Sequence, residues 1–282
     1  MAAFETPQPI AVELEIGVGD IRISASDRED TVVEVLPTRP GKRDDVSAAE
    51  QTRVEHSGGR LLIKAPKHWR RFGPFSESGS IDVRVELPSG SRLTADAGVA
   101  ALRATGRLDE CRITTGVGDV ALEQAGKVRA RTGMGNLAID AAGGDLDVST
   151  GSGAVRVGAA AGAAVIKNSN GDTWLGEAGG DVRVSAANGD IAIDRTRASV
   201  VAKTAYGEVR IGQIERGPVV AETAYGGLEF GIADGTPAYL DLSTGFGHVS
   251  SELEGAAEPE AAGESVNLRA RTAFGDIRVR RA

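Results

Sequence analysis

The chain has 282 residues, a net charge of -8, only 4% aromatic residues and 38 glycines. That balance disfavours a compact α/β enzyme with a large aromatic core, and a polyanion-binding protein would need a local basic patch. One cysteine, Cys111, excludes an internal disulfide framework and reads as a small apolar core residue.

From the N-terminus, "MAAFETPQPIAVELEIGVGD" has no basic region followed by an apolar run, and no stretch approaches a membrane span of about 20 apolar residues. The expected location is cytoplasmic, with any membrane association made through a partner. Residues 1–95 hold strand-like runs without a regular period: "IAVELEIGVGDIRISA", "TVVEVLPT", "TRVEHSGGRLLIKAP" and "SIDVRVELPSG". Ser57-Gly58-Gly59 marks a hairpin turn. "RPGKRDDVSAAEQ" is charged and turn-rich and reads as a loop. This segment is expected to be an irregular β cap continuous with the remainder of the chain, because a bare repeat end exposes apolar edges.

Residues 96–282 repeat at intervals of about 18 residues. "TTGVGDVAL", "RTGMGNLAI", "STGSGAVRV", "KNSNGDTWL", "SAANGDIAI", "KTAYGEVRI", "ETAYGGLEF", "STGFGHVSS" and "RTAFGDIRV" align on a glycine. "EIGVGDIRI" echoes the turn far upstream. After each turn comes an apolar-x-apolar triplet, such as Val209/Ile211, and before it another, such as Val200/Ala202. Alternation at period two puts each pair on one face. One strand pair cannot bury that face alone, but stacked copies share an interior. Half-repeats of about nine residues also allow antiparallel hairpins, yet alternate halves match while successive ones differ. The predicted fold is therefore all-β, a parallel β-solenoid. Parallel crossovers are nearly always right-handed, so the coil is expected to be right-handed. Each coil corners at the glycine, and the Asp or Asn after it can bond its own backbone. Threonines at 115, 132, 150, 204, 223, 244 and 272 form a column, and "GAAEPEAAGES" (255–265) reads as an acidic insertion.

"SIDVRVELPSGSRLTADAGVAALRATG" followed by the recurrent Thr-Gly-x-Gly-Asp-Val turns resembles the bacterial β-strand-repeat family of proposed adhesins, the toastrack domains. The resemblance covers nearly the whole chain. It implies a right-handed β-solenoid and no catalytic residues. Some members accompany envelope-stress genes and others are membrane-anchored or secreted.

No cofactor or metal is expected. The column after the glycine reads Asp119, Asn136, Ala154, Asp172, Asp190, Glu208, Gly227, His248, Asp276, too variable for a calcium ladder. His56, His68 and His248 are scattered. Asp140 and Asp194, at corresponding strands, lie too many coils apart for a glycosidase pair. Two features stand out. A column runs Val117, Met134, Ser152, Asn170, Asn188, Tyr206, Tyr225, Phe246, Phe274. It reads first as packing against a cap, the insertion or another subunit. If it faces solvent, its four rings form a binding strip. The second is "KAPKHWRRFGPFSESG", where His68, Trp69, Arg70 and Arg71 lie among further basic and aromatic residues. It reads first as a loop covering the solenoid edge and otherwise as a docking site. The leading expectation is a non-catalytic scaffold for a protein partner, with no nucleic acid. The alternatives are an adhesin-like self-assembler and, behind it, a carbohydrate-active enzyme.

Overall fold

The computed structural model describes residues 1–66, 79–253 and 265–282. It is nearly all-β, with 71% strand and 3% helix. The chain divides into two compact units, Met1–Ile139 and Asp140–Ala282.

The first unit holds β1 (Ala2–Glu5), β2 (Ala11–Ser26), β3 (Asp30–Pro37), α1 (Arg43–Gln51), β4 (Arg53–Ser57), β5 (Arg60–Lys64), β6 (Ser80–Pro88), β7 (Arg92–Val117) and β8 (Val120–Met134). The upstream echo of the repeat is itself a coil. The two halves of β2 pair in parallel with β5 and β6 on one side and with β7 on the other. β7 in turn pairs in parallel with β8. Alternate residues Val12, Leu14, Ile21 and Ile23 are buried, as period two requires.

The outer edges of β5 and β6 are closed by antiparallel strands. β4 pairs β5 through the Gly58-Gly59 turn, whose two residues have φ of 58° and 74°. This is the positive-φ pair that a two-residue hairpin needs. β3 pairs β6, and β1 pairs β3, all antiparallel. Arg28 ties the end of β2 to both Asp30 and Glu86. Its guanidinium is held more firmly protonated than usual, chiefly by the Asp30 bond, and Arg28 in turn lowers the Asp30 carboxyl.

The segment expected as a loop is in part the helix α1. Its Ala- and Glu-containing stretch favours helix, with Asp44 and Asp45 in the first turn beside the positive end of the dipole. Asp45 is fully buried and fixes the helix. It accepts the Ser80 backbone N–H at 3.0 Å and the Arg39 guanidinium at 2.9 Å. Those bonds, the Ser80 amide first and Arg39 second, hold its carboxyl below the usual range. Cys111 is buried in the first unit, and burial followed by the charges of Asp109 and Glu110 pushes its thiol up to about 12. It is therefore a protonated core side chain, as its lone position in the sequence implied.

β9 (Leu137–Ala142) carries the chain into the second unit. Then come β10 (Leu146–Ser152), β11 (Val155–Ala160), β12 (Ala164–Asn170), β13 (Thr173–Ala178), β14 (Val182–Asn188), β15 (Ile191–Thr196), β16 (Val200–Lys203), β17 (Val209–Ile214), β18 (Gly217–Tyr225), β19 (Leu228–Ile232), β20 (Ala238–Phe246), β21 (Val249–Ser251), β22 (Val266–Phe274) and β23 (Ile277–Arg281). Alternate strands pair in parallel, β10–β12–β14–β16–β18 on one side and β11–β13–β15–β17–β19 on the other. This is the two-strand coil of a β-solenoid. Val148, Ile166, Val184, Ala202 and Ala221 are wholly buried along one ladder, and Val157, Leu175, Ile211 and Phe230 along the other.

The last two coils break chain order. β22 pairs β18 on one side and β20 on the other, and β23 lies likewise between β19 and β21. The final coil is thus inserted beneath the penultimate one. The reason is in the inward positions. β23 contributes Ile277 and Val279, both buried. β21 offers only Val249 and Ser251, both exposed. The polar, weaker coil is left at the edge, where half of its interior face meets water. The outward charges agree: Arg271 pairs in register with Glu222, and Arg280 reaches Glu229 at 3.2 Å.

Candidate functional site

The repeated corner is built by three residues from adjacent coils. Gly207 has φ 143°, and a Cβ there would lie 2.1 Å from the Gly189 carbonyl oxygen. Only glycine lets consecutive coils approach so closely. The column threonine then donates to the glycine carbonyl of the neighbouring coil: Thr204 to Gly189 at 3.2 Å, Thr223 to Gly207 at 3.0 Å and Thr272 to Gly226 at 3.0 Å. Asn168 does the same with its amide, to Gly153 at 3.0 Å.

The Asp after the glycine does not bond its own backbone, contrary to the expectation from turn chemistry. Its carboxylate accepts the N–H of the equivalent residue one coil on: Asp119 from Asn136 at 2.7 Å, Asp190 from Glu208 at 2.8 Å and Asp276 from His248 at 2.9 Å. These acids staple coil to coil. Among the described residues, no group of three or more His, Cys, Asp or Glu is arranged to hold a metal ion.

This corner projects the residue before the glycine outward. In the second unit that column is Ser152, then Asn170 and Asn188, linked amide to amide at 2.9 Å, and then four rings. Because of the coil inversion, the rings follow the order Tyr206, Tyr225, Phe274, Phe246. Their centroids are 5.0, 4.8 and 4.9 Å apart and their planes are within 6° of parallel. The spacing is that of the strands beneath them. The rings are exposed, from 42% at Phe274 to 70% at Phe246. The insertion, one of the elements expected to pack on this column, lies outside the described residues apart from Ser265. Along the ladder the ring faces cover one another, and what meets solvent is a row of ring edges. Among the described residues no ring stacks on the outer face of Phe246, at one end of the ladder, or on that of Tyr206, at the other. The neighbouring column supplies the carboxylates Asp190, Glu208 and Asp276, giving the apolar strip an acidic border. On the other side Lys203 and Glu222 pair at 2.7 Å.

His68, Trp69, Arg70 and Arg71 lie outside the described residues, as do residues 255–264 of the acidic segment. Of the basic run before them, Lys64 pairs with Glu15 at 2.8 Å. His248 is almost fully exposed, and His56 packs against Phe4 with centroids 5.2 Å apart. Sequence reasoning passed over Trp174 and Tyr239. Trp174 leans across Gly176 and donates its indole N–H to Asp194 at 3.1 Å. Tyr239 stands exposed on the outer face of β20. The signal available for both was period two, which puts each on the solvent side of its strand.

Three solved structures match the chain along nearly their whole length. A proposed cell adhesion protein from Clostridium sporogenes is 9% identical, covered at 100% of this chain and 98% of that one, with a TM-score of 0.26. A proposed adhesin from Bacteroides fragilis is 10% identical, at 99% and 95%, with 0.26. A proposed lipid-binding protein from Parabacteroides distasonis is 10% identical, at 99% and 95%, with 0.34. None of the curated proteins compared with the chain matches it. The Toastrack DUF4097 family matches residues 10–280, the first coil through the last, and the chain belongs to that family.

Proposed function

We propose that the protein is a non-catalytic binding scaffold that presents the ring ladder of its second unit to a protein partner, in a bacterial envelope-stress setting. The observation that carries this reading is the ladder itself: four parallel stacked rings, exposed, held at strand spacing by a rigid corner. An apolar strip about 15 Å long with a polar border has the make-up of the core and rim of a protein interface. Its rings are pre-ordered by stacking, so little side-chain entropy is lost on docking. Edge-on rings suit a flat apolar protein surface better than a sugar, which needs a ring face. No helix among the described residues is long and apolar enough to cross a membrane. The reading places the protein in the cytoplasm, reaching the membrane through its partner.

The test is paired capture from the native host. One bait is the parent chain. The other carries Tyr206→Ala, Tyr225→Ala, Phe246→Ala and Phe274→Ala and is checked for an unchanged circular dichroism spectrum. The captured protein is then titrated against both baits by calorimetry. Loss of at least tenfold in affinity with the folded variant supports the reading; equal affinity overturns it. A bait with Trp69→Ala and Arg70→Ala separately assays the basic-aromatic segment.

A second reading, self-assembly through the solenoid end, is favoured by one observation. The edge coil β20–β21 leaves Leu240 and Leu242 half-buried and Phe246 open on one face. Growth of light scattering with concentration would support it, and a strict monomer would remove it.

A further inference from the structure

The edge coil of the second unit ends in a row of unmet backbone groups. β20 pairs with β22 on one side, in register from Ala238 with Val266 to Phe246 with Phe274. The Val266 N–H donates to the Pro237 carbonyl at 2.9 Å. In a parallel ladder this turns the N–H and C=O groups of Tyr239, Asp241 and Ser243 toward β22. Those of Leu240, Leu242 and Thr244 then point to the open side. Among the described residues no strand pairs with β20 there. The same residues carry the inward side chains. Leu240 and Leu242 are half-buried, whereas Leu268 and Ala270, their register partners on β22, are buried. A strand laid along this edge satisfies the backbone and closes the interior in one step.

The occupant must offer both a free edge and an apolar interior of the same width. In the first unit the edges of β5 and β6 are already taken by β4 and β3, so a head-to-tail contact finds no matching edge. The same coil of a second copy does match. A two-fold axis perpendicular to the sheet lays β20 antiparallel against its counterpart and keeps inward residues inward. Opposed residues of an antiparallel pair share a face, so the axis falls on a residue. Centred on Asp241, two carboxylates would stand opposite each other, which is destabilising. Centred on Leu240, the stretch from Ser243 to Phe246 would extend past the start of the other β20. Centred on Leu242, Leu242 meets itself, Leu240 meets Thr244, Asp241 meets Ser243 and Tyr239 lies across from Gly245. No like charges are opposed, and the Arg269–Asp241 ion pair within each copy is kept.

We infer that a second copy of this chain occupies the edge, as a closed dimer with the two β20 strands antiparallel and Leu242 on the axis. This rests on the end-coil reading above and narrows it: an isologous contact uses up the edge, so assembly stops at two. One strand pair with the short β21 beside it falls below a standard interface of about 1,200–2,000 Å². The dimer is therefore weak, with a Kd on the order of 10–100 µM. At the roughly 1 µM of an unfolding experiment the chain is monomeric and its edge is open. Tyr206, Tyr225 and Phe274 lie on deeper coils, so each dimer carries two ladders.

Sedimentation equilibrium of the full chain from about 1 to 500 µM, a range that brackets this Kd, is the test. The parent is expected to fit a monomer–dimer equilibrium with no larger species. Amides of Leu240, Leu242 and Thr244 should gain exchange protection as concentration rises. Leu242→Lys and Leu242→Glu each set a charge against its own copy on the axis and should weaken association at least tenfold. In the monomer the half-open site lets either charge reach water, and an unchanged circular dichroism spectrum checks the fold. An equimolar mixture of the two variants should recover association, because Lys then meets Glu. A monomer throughout the range would overturn this inference and the self-assembly reading together. Growth beyond the dimer would keep that reading and overturn the closed dimer. A mixture that associates no better than either folded variant alone would overturn the pairing about Leu242.

Discussion

The two ends of the chain solve the same problem differently. Near the N-terminus, β5 and β6 would expose a parallel edge, and β4, β3 and β1 cover it with antiparallel pairing, reinforced by α1. Near the C-terminus nothing described covers β20 and β21; the chain instead places its least apolar coil outermost. One end is closed by added structure, the other by the order in which coils are stacked. A fold whose coils contact only neighbours can do this, because swapping two coils changes few contacts elsewhere. The closed end should therefore melt with the body of its unit, and the open end should fray first.

The sharpest way to break this comparison is to make the same kind of hole inside and at the edge. Phe230 is wholly buried, and Phe230→Ala is expected to cost about 3–5 kcal/mol. Leu242→Ala at the edge coil removes a half-buried side chain and should cost only about 1 kcal/mol. Urea unfolding of the two variants measures both. Equal losses would mean that the edge coil is as firmly held as the interior.

The corner glycines give the second comparison. At Gly226 a Cβ would lie 2.0 Å from the Gly207 carbonyl oxygen, and at Gly247 2.1 Å from that of Gly275. Both have φ near 150°. Locally the two are equivalent. Gly226→Ala must nevertheless disturb coils on both sides and should cost roughly 3 kcal/mol from backbone strain and overpacking. Gly247→Ala can be relieved by undocking the edge coil, so the loss should stop near 1 kcal/mol. Hydrogen exchange separates the cases: only the amides of β20 and β21 should lose protection in Gly247→Ala.

At the closed end the test is pH. Asp45 has a lowered carboxyl in the folded state, set by the Ser80 amide and Arg39. A depressed acid stabilises the fold fully above its unfolded value of about 3.9, and that contribution disappears as pH falls through the lower folded value. The parent should keep this part of its stability down to about pH 4 and begin to lose it below that. Asp45→Asn, uncharged throughout, should start lower at pH 7 and show a smaller difference between pH 7 and pH 3. Urea midpoints at pH 7 and pH 3 decide it, and identical pH dependence in both proteins would show that the Asp45 tie does not hold the helix.

Which parts could be read from residues alone is decided by the same physics. The coil, its corner and the inward pairs are encoded within a single repeat, by period two and by a glycine that tolerates no Cβ. The position of Cys111 was likewise local. Coil order was not, because nothing within β20 or β22 names its neighbour. The only trace is that Ser251 sits where β23 has Val279. The role of the corner Asp was missed for a related reason: its partner lies about 18 residues away and adjacent only after stacking. α1 was hidden by the charge and flanking Pro and Gly of its segment, and it is Asp45 bonded to Ser80 that anchors it. The ring column was visible in the alignment, but its exposure was not, since a repeat pattern does not say what lies across from its corner.

The smallest expected effect lies within the ladder and tests the coil order directly. Phe274 is stacked on both faces, by Tyr225 at 4.8 Å and by Phe246 at 4.9 Å. Phe246 is stacked on one. At about 0.5–1.5 kcal/mol per ring pair beyond simple burial, Phe274→Ala should cost about twice as much as Phe246→Ala. In chain order the reverse would hold, because Phe246 would then be the inner ring. Urea unfolding of the two single variants, with the double variant to measure their coupling, distinguishes these arrangements without any structure determination. A larger loss at Phe246 would show that the coils stack in sequence order.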